Sequence, residues 1–582
     1  MRPLFCSILL GFASVSVAQD PLPAAGSASP IAVNQVGYLT DGPKRFTSPL
    51  LKTGAFSIQT VKGNKTVYKG AINNHLGDFS GFKPANGAGE YSINIKGQKG
   101  TSFPFSIERN LYQEQFWQPA INFMIDCRSV VGTHPSAYGG CPWRDGTYYS
   151  YEVPSLLWLY AADPVFMEGM PRQINWQEDK QRVLSPEFRY DEKNPQSEDV
   201  MEAVTRYYTE LEPPADKAPD AVKLIHWGLG FYLMKPYTKD PSQDILPKQI
   251  HGQVVAQFAH FLYAWDKLKL NRWIARSFYD KCLDFVLTHW KASGGLAIDP
   301  NWSTSTYSEP IKTDSGWVLK ILHPYKGRHV PGHSILPNLY MYQVTKNRFP
   351  VLARDFINAA KNQTRWIIDS LDWNIPGATK GQRGGEFKTI VNLVWFLKNM
   401  PDQAPGELQH KIEEWAQVVV SRSDNMWDFR RYDLVDHWTI PEMNETGNLA
   451  GFPACALAAA SVLKEGTLKS RLTEIAYAHI DNLFGRNPKM AAAANRPHKG
   501  YPLVENGWPI HYKPDVCARL ELCRGGLDAS PGTEMYPYNP QGKFRHPEGW
   551  IIWNASWNVS LAFLQTSRPA HENKNGADAA YR

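Results

Sequence analysis

His546 to Leu564 reads HPEGWIIWNASWNVSLAFL. After Gly549 no charged residue interrupts it, and its aromatic and aliphatic residues recur at helical spacing. The stretch predicts an apolar helix with one carboxylate, Glu548, at its leading edge. Such an acid has two readings. It is either a residue favoured by the positive end of a helix dipole, or a catalytic acid whose position the helix fixes.

The same texture recurs upstream from Tyr112 onward. QFWQPAINFMI, VPSLLWLYAAD, DAVKLIHWGLGFYLM, VVAQFAHFLYAWDKL, SFYDKCLDFVLTHW and ILPNLYMYQVT all carry apolar residues at helical spacing. So do ARDFINAAKNQTRWIIDSL, TIVNLVWFLKNM, HKIEEWAQVVV, FPACALAAASVLK and LTEIAYAHIDNLFG. With IIWNASWNVSLAFLQT this makes a dozen helices over residues 110–567. That number fits an all-α (α/α)6 barrel, six helical hairpins in two concentric rings, with long loops building a cleft at one end. No fixed-period repeat suggests a solenoid.

Residues 30–108 have a different texture. FSIQTV, TVYKGAI, GEYSINI and SFPFSI alternate apolar with polar between Gly, Asn, Lys and Pro. They predict an immunoglobulin-like β-sandwich. Ahead of it, MRPLFCSILLGFASVSVA has a basic start, a short apolar run and small residues at its end, the pattern of a secretory signal peptide over residues 1–18. Residues 19–29 read as a linker and 568–582 as a disordered tail. A secreted, extracellular monomer is expected, with no membrane anchor.

The net charge of +6 is small for 582 residues, and Lys and Arg are scattered, which argues against nucleic acid as a partner. The 20 Trp, 27 Tyr and 26 Phe supply a large core, and some of these rings suit the apolar faces of sugars. Six cysteines follow Cys6, an even number that permits disulfides, with Cys127–Cys141 and Cys517–Cys523 as local pairs. Glycosylation sequons stand at Asn64, Asn301, Asn362, Asn444, Asn554 and Asn558; the last two lie in the apolar run and are expected to be too buried for use. His329 and His333 are four apart, but Pro331 and Gly332 between them keep them off a common helical face, so no metal site is expected. There is no dinucleotide or phosphate-loop motif, and EVPSLL around Ser155 is not a nucleophile elbow.

Taken in order, several segments resemble the family 9 glycoside hydrolases, the cellulases that carry an immunoglobulin-like domain ahead of the catalytic one. IAVNQVGY, Ile31 to Tyr38, resembles the opening of that domain. PDAVKLIHWGLGFYLMK, Pro219 to Lys235, resembles a helix of the barrel; LFGRNP, Leu483 to Pro488, and RGGLD, Arg524 to Asp528, resemble two of its turns. NRPHKG, Asn495 to Gly500, resembles the family's Arg-Pro-His segment. Glu548 stands six residues before Asn554-Ala555, as in the family's C-terminal signature.

The resemblance implies hydrolysis of a β-linked glucan or related polysaccharide with inversion and without a cofactor. One carboxylic acid protonates the leaving oxygen, and a carboxylate roughly 6.5–9.5 Å away activates water. Glu548 takes the acid role; apolar neighbours such as Trp550 would raise its pKa and keep it protonated. The water-holding segment, CPWRDGTYYSYEVP, keeps Trp143, Asp145 and Val153-Pro154. It is one residue short, and the family's second Asp is absent: Gly146, Thr147 and Tyr148 occupy that loop. Asp145 is therefore the only carboxylate of the motif: either it holds the water alone, or a nearby acid, Glu152 or Asp126, replaces the lost one. Trp143, Arg496 and His498 are carried over as substrate-binding residues. Loss of the second Asp leaves two alternatives open, a glycan-binding protein without activity and a polysaccharide lyase on the same barrel.

Overall fold

The longer strands form where apolar and polar residues alternate. The computed structural model describes residues 31–84, 89–132, 141–143, 151–186, 198–235, 252–293, 308–313, 316–321, 330–374, 385–431, 446–486 and 551–568. The first strands are β1 (Gly37–Leu39), β2 (Arg45–Thr47), β3 (Gly54–Thr60), β4 (Thr66–Asn73), β5 (Leu76–Asp78), β6 (Glu90–Ile95) and β7 (Phe105–Glu108). They make one curled sheet in the order β1-β7-β6-β3-β4-β5-β2. A bridge from Ala32 to Thr47 of β2 brings the two ends together, so the sheet encloses its own core of Tyr38, Phe46, Phe56, Ile58, Phe79, Ile93 and Phe105. Gly37 is required where it stands: its φ is +133°, and a Cβ there would lie 2.2 Å from the Ser106 carbonyl oxygen.

The remaining chain is helical. The helices are α1 (Leu111–Asp126), α2 (Glu152–Ala162), α3 (Pro164–Gly169), α4 (Trp176–Leu184), α5 (Glu198–Glu210), α6 (Asp220–Met234), α7 (Gly252–Lys267) and α8 (Arg276–Ser293). After a hairpin of β8 (Ser308–Thr313) and β9 (Gly316–Ile321) come α9 (Ile335–Thr345), α10 (Pro350–Ser370), α11 (Glu386–Asn399), α12 (Leu408–Arg422), α13 (Thr446–Ala460), α14 (Thr467–Asp481) and α15 (Ile551–Thr566). Six of them close a ring by neighbour contacts: α2, α7, α9, α11, α13, α15 and back to α2. Around it stand α1, α6, α8, α10, α12 and α14, each packed against an inner helix. This is the (α/α)6 barrel that the periodicity predicts.

Burial separates the two rings. Every residue of α2 is buried, whereas α10 and α12 bury one stripe and expose the other. Helix α6 is the exception, an outer helix buried almost all round, because α5 lies against it and α4 against α5. Small residues on α13 let it approach α15 closely, and Ser560 on α15 donates to the Ala450 carbonyl at 2.5 Å. Asn554 and Asn558 are fully buried, as their place in the apolar run predicts. Among the described residues no helix is long and apolar enough to cross a membrane.

The Cys127–Cys141 disulfide expectation is corrected: both are buried thiols, and Cys141 Sγ meets the Trp143 carbonyl at 2.8 Å instead. Cys517 and Cys523 lie outside the described residues, as do residues 1–30.

The two domains are locked by a buried polar seam. Asn34 donates to Asp481 Oδ1 at 3.0 Å and to the Tyr112 hydroxyl at 3.2 Å, while its carbonyl accepts from the backbone of Val36 and Gly37. Gln35 N–H donates to the Phe484 carbonyl at 2.8 Å. Deeper in the seam, Asp428 faces Arg486 at 2.8 Å, Arg45 at 3.1 Å and Arg471 at 2.5 Å. The segments IAVNQVGY and LFGRNP thus meet each other.

Asp481 gives this seam a pH dependence. Burial pushes its pKa up from 3.8 to about 7, against the Arg486 charge and the Asn34 hydrogen bond. A carboxyl whose folded pKa is raised binds its proton more tightly in the native state. Stability is therefore fullest near pH 4 and falls as pH rises through about 7, by at most about 1.4 kcal/mol per pH unit. Asp481→Asn is expected to melt close to wild type at pH 3.5 and at a higher temperature at pH 8. An equal difference at both pH values would refute this origin.

Candidate active site

The inner helices all begin at one end of the barrel. Val153 N–H at the start of α2 donates to Gln257 Oε1 early in α7. Thr389 and Asn392 on α11 bond the carbonyls of Pro331 and Gly332 just before α9. Phe387 at the start of α11 packs on Gly451 near the start of α13. Asn558 of α15 reaches Ser155 of α2 at 3.4 Å, so these two helices lie side by side.

Tyr151 and Glu152 stand at this end, at the head of α2. The Tyr151 ring meets His260 of α7 edge-on at 5.7 Å and Phe387 of α11 at 5.2 Å. Lys388 Nζ lies 5.1 Å from the centre of the same ring. Glu152 and Lys388 are 1% and 5% exposed, a carboxylate and an ammonium from helices on opposite sides of the ring. Burial lowers the Lys388 pKa to about 8, and the Glu152 charge opposes that fall. Burial, aided by the Lys388 charge, lowers His260 to about 3 and keeps its imidazole neutral. Two residues before Lys388, Glu386 accepts from Arg430 at 2.5 Å and from the Trp415 indole at 2.8 Å.

Of the residues expected to form the site, Trp143 is described. It is 1% exposed, its indole N–H donates to the Met124 carbonyl at 2.9 Å, and its ring fills the space beside Gly228, where a Cβ would come within 2.5 Å. As placed, its polar edge is spent on backbone near the end of α1. Asp145, Arg496, His498 and Glu548 lie outside the described residues. Their flanking anchors do not: Trp143 and Tyr151 bracket the Asp145 loop, and α15 starts three residues after Glu548. Asp126 is the half-buried last residue of α1. His333 turns Nδ1 to the Val330 carbonyl at 2.8 Å, and His329 lies outside the described residues. Sequence reasoning did not single out Lys388, His260 or Gln257. Each sits on an apolar helical run with no motif around it, and the ring closure alone brings them to Glu152.

Residues 27–99 match the family of the cellulase N-terminal ig-like domain. The whole chain is similar to the structure of AaCel9A in complex with cellobiose-like isofagomine, at 14% identity and a TM-score of 0.52, over 92% of this chain and 100% of that one. It also resembles a single mutant of a thermostable endoglucanase from Alicyclobacillus acidocaldarius, at 13% identity and a TM-score of 0.49, over 92% and 99% of the two chains. For Bacteroides ovatus GH9 the values are 14%, 0.46, and 92% and 99%. A comparison with curated protein sequences finds no match. The chain therefore opens with an Ig-like domain of the cellulase type and has, as a whole, the two-domain, six-hairpin fold of a family 9 glycoside hydrolase.

Proposed function

We propose that this chain is a secreted glycoside hydrolase that cleaves a β-linked glucan or a related polysaccharide by single displacement. The observation that carries the reading is the shared fold over 92% of the chain with AaCel9A, a protein solved in complex with cellobiose-like isofagomine. Glu548 protonates the leaving oxygen, and Asp145 holds the attacking water. Arg496 and His498 hydrogen-bond sugar hydroxyls. The water adds to the anomeric carbon from the face opposite the leaving group, so the product is inverted.

The test is reducing-sugar release from β-glucans, β-mannans, xylans and chitosan by wild type and Glu548→Gln side by side. Wild type is expected to cut at least one of these, and the variant to lose about a hundredfold or more in turnover. Binding of a glycan by wild type with no release of reducing ends would instead identify a binding protein. That outcome is favoured by the absent second Asp at Gly146–Thr147. A product absorbing in the near ultraviolet would identify a lyase.

A further inference from the structure

The head of α2 is fixed at the barrel axis from several sides. Gln257 holds the Val153 amide, His260 and Phe387 flank the Tyr151 ring, and Trp158 Nε1 donates to the Tyr151 hydroxyl at 3.3 Å. Glu152 is the first residue of the helix so held. Lys388 stands over Tyr151 from the opposite wall. A buried ion pair adds little stability over apolar side chains of the same size, so packing does not call for charge in this lumen. His260 sharpens the point: it is 2% exposed, and its Nδ1 has no hydrogen-bond partner among the described residues. A carboxylate, an ammonium and a neutral imidazole therefore converge at the end where the inner helices begin.

From this convergence we propose that Glu152 is the second carboxylate of the site, set by Lys388 and the head of α2, and takes the proton from the attacking water. The proposal rests on the hydrolase reading above and supplies the base that Gly146–Thr147 lacks. In the step, one water O–H bond breaks and its proton goes to Glu152. The oxygen bonds to the anomeric carbon, the bond to the leaving sugar breaks, and that oxygen takes the proton of Glu548. Lys388 is a positioning residue, a cation on the opposite wall whose charge interacts with the Glu152 carboxylate.

Glu152→Ala and Glu152→Gln, made in the full chain and checked for folding by their melting curves, are assayed on whichever glycan of the panel wild type cuts. Both are expected to lose about a hundredfold or more in kcat with KM nearly unchanged. Sodium azide is expected to restore turnover to the alanine variant, which leaves room for the anion, and to yield a glycosyl azide of inverted configuration. A merely structural role would produce no azide adduct. Loss of activity without that adduct, or alanine turnover within about threefold of wild type, overturns the assignment while the hydrolase reading stands. If wild type cuts nothing, both fall together. Should the alanine variant not fold, the isosteric glutamine variant decides: turnover near that of wild type refutes the proposal, and a loss in kcat alone supports it.

Discussion

Asp428→Ala is expected to lower the free energy of unfolding by about 3–5 kcal/mol, because it leaves buried guanidinium charge without its carboxylate. Asp428 is fully buried and shared by Arg45 of the Ig-like domain and Arg471 and Arg486 of the barrel. Arg486 is itself inaccessible, so water cannot replace the lost partner. Burial alone would raise the Asp428 pKa, but Arg486, Arg45 and Arg471 together hold it below the usual 3.8. Its stabilisation is thus present above the unfolded pKa and is lost as pH falls through the lower folded one. Denaturant unfolding of wild type and variant at pH 7 measures the difference. A loss below about 1 kcal/mol would mean that the seam is open to solvent and the charges are screened. Asp428→Asn, which keeps the shape and removes the charge, is expected to be nearly as damaging.

Glu386→Ala is expected to cost a similar amount, again about 3–5 kcal/mol. Glu386 and Arg430 are both 5% exposed and 2.5 Å apart, and the Trp415 indole N–H loses its acceptor as well. The control is the double variant Glu386→Leu with Arg430→Met, which replaces both charges with apolar side chains. It is expected to recover most of the loss, since the pair is costly to break and not to replace. Unfolding midpoints of the two variants in one denaturant series decide the matter. Equal destabilisation of the single and double variants would show that Arg430 serves another partner more than Glu386.

The barrel was legible because each of its twelve helices carries a long apolar pattern, and DAVKLIHWGLGFYLM and ILPNLYMYQVT coincide with α6 and α9 residue for residue. Shorter elements were not. Strands β1, β2 and β5 have three residues each, too few for alternation to show, and their pairing depends on distant partners. Helix α3 has six residues and announces itself only through Asp163, whose side chain accepts from the Phe166 amide. Helices α4 and α5 are rich in charge, and they hide α6 from solvent without having apolar runs of their own. The Cys127–Cys141 spacing suited a disulfide, yet backbone around Trp143 claims the Cys141 thiol. At the site, Glu152 was visible as an acid beside Val153-Pro154. Its partner Lys388 was not, because opposition across a ring is a property of closure and leaves no local pattern.

That closure also orders events during synthesis. The barrel's last wall, α15, fills the gap between α13 and α2 and leaves the ribosome after every other helix of the barrel. The curled sheet emerges first, but Asp428, Asp481 and Arg486, which clasp it, are translated tens of seconds later at about 5–20 residues per second. Until then the apolar inner faces of α2 and α13 lack the helix that covers them. A nascent chain of this fold must carry an open, sticky cylinder for most of its birth, and a truncation anywhere before residue 551 leaves it so.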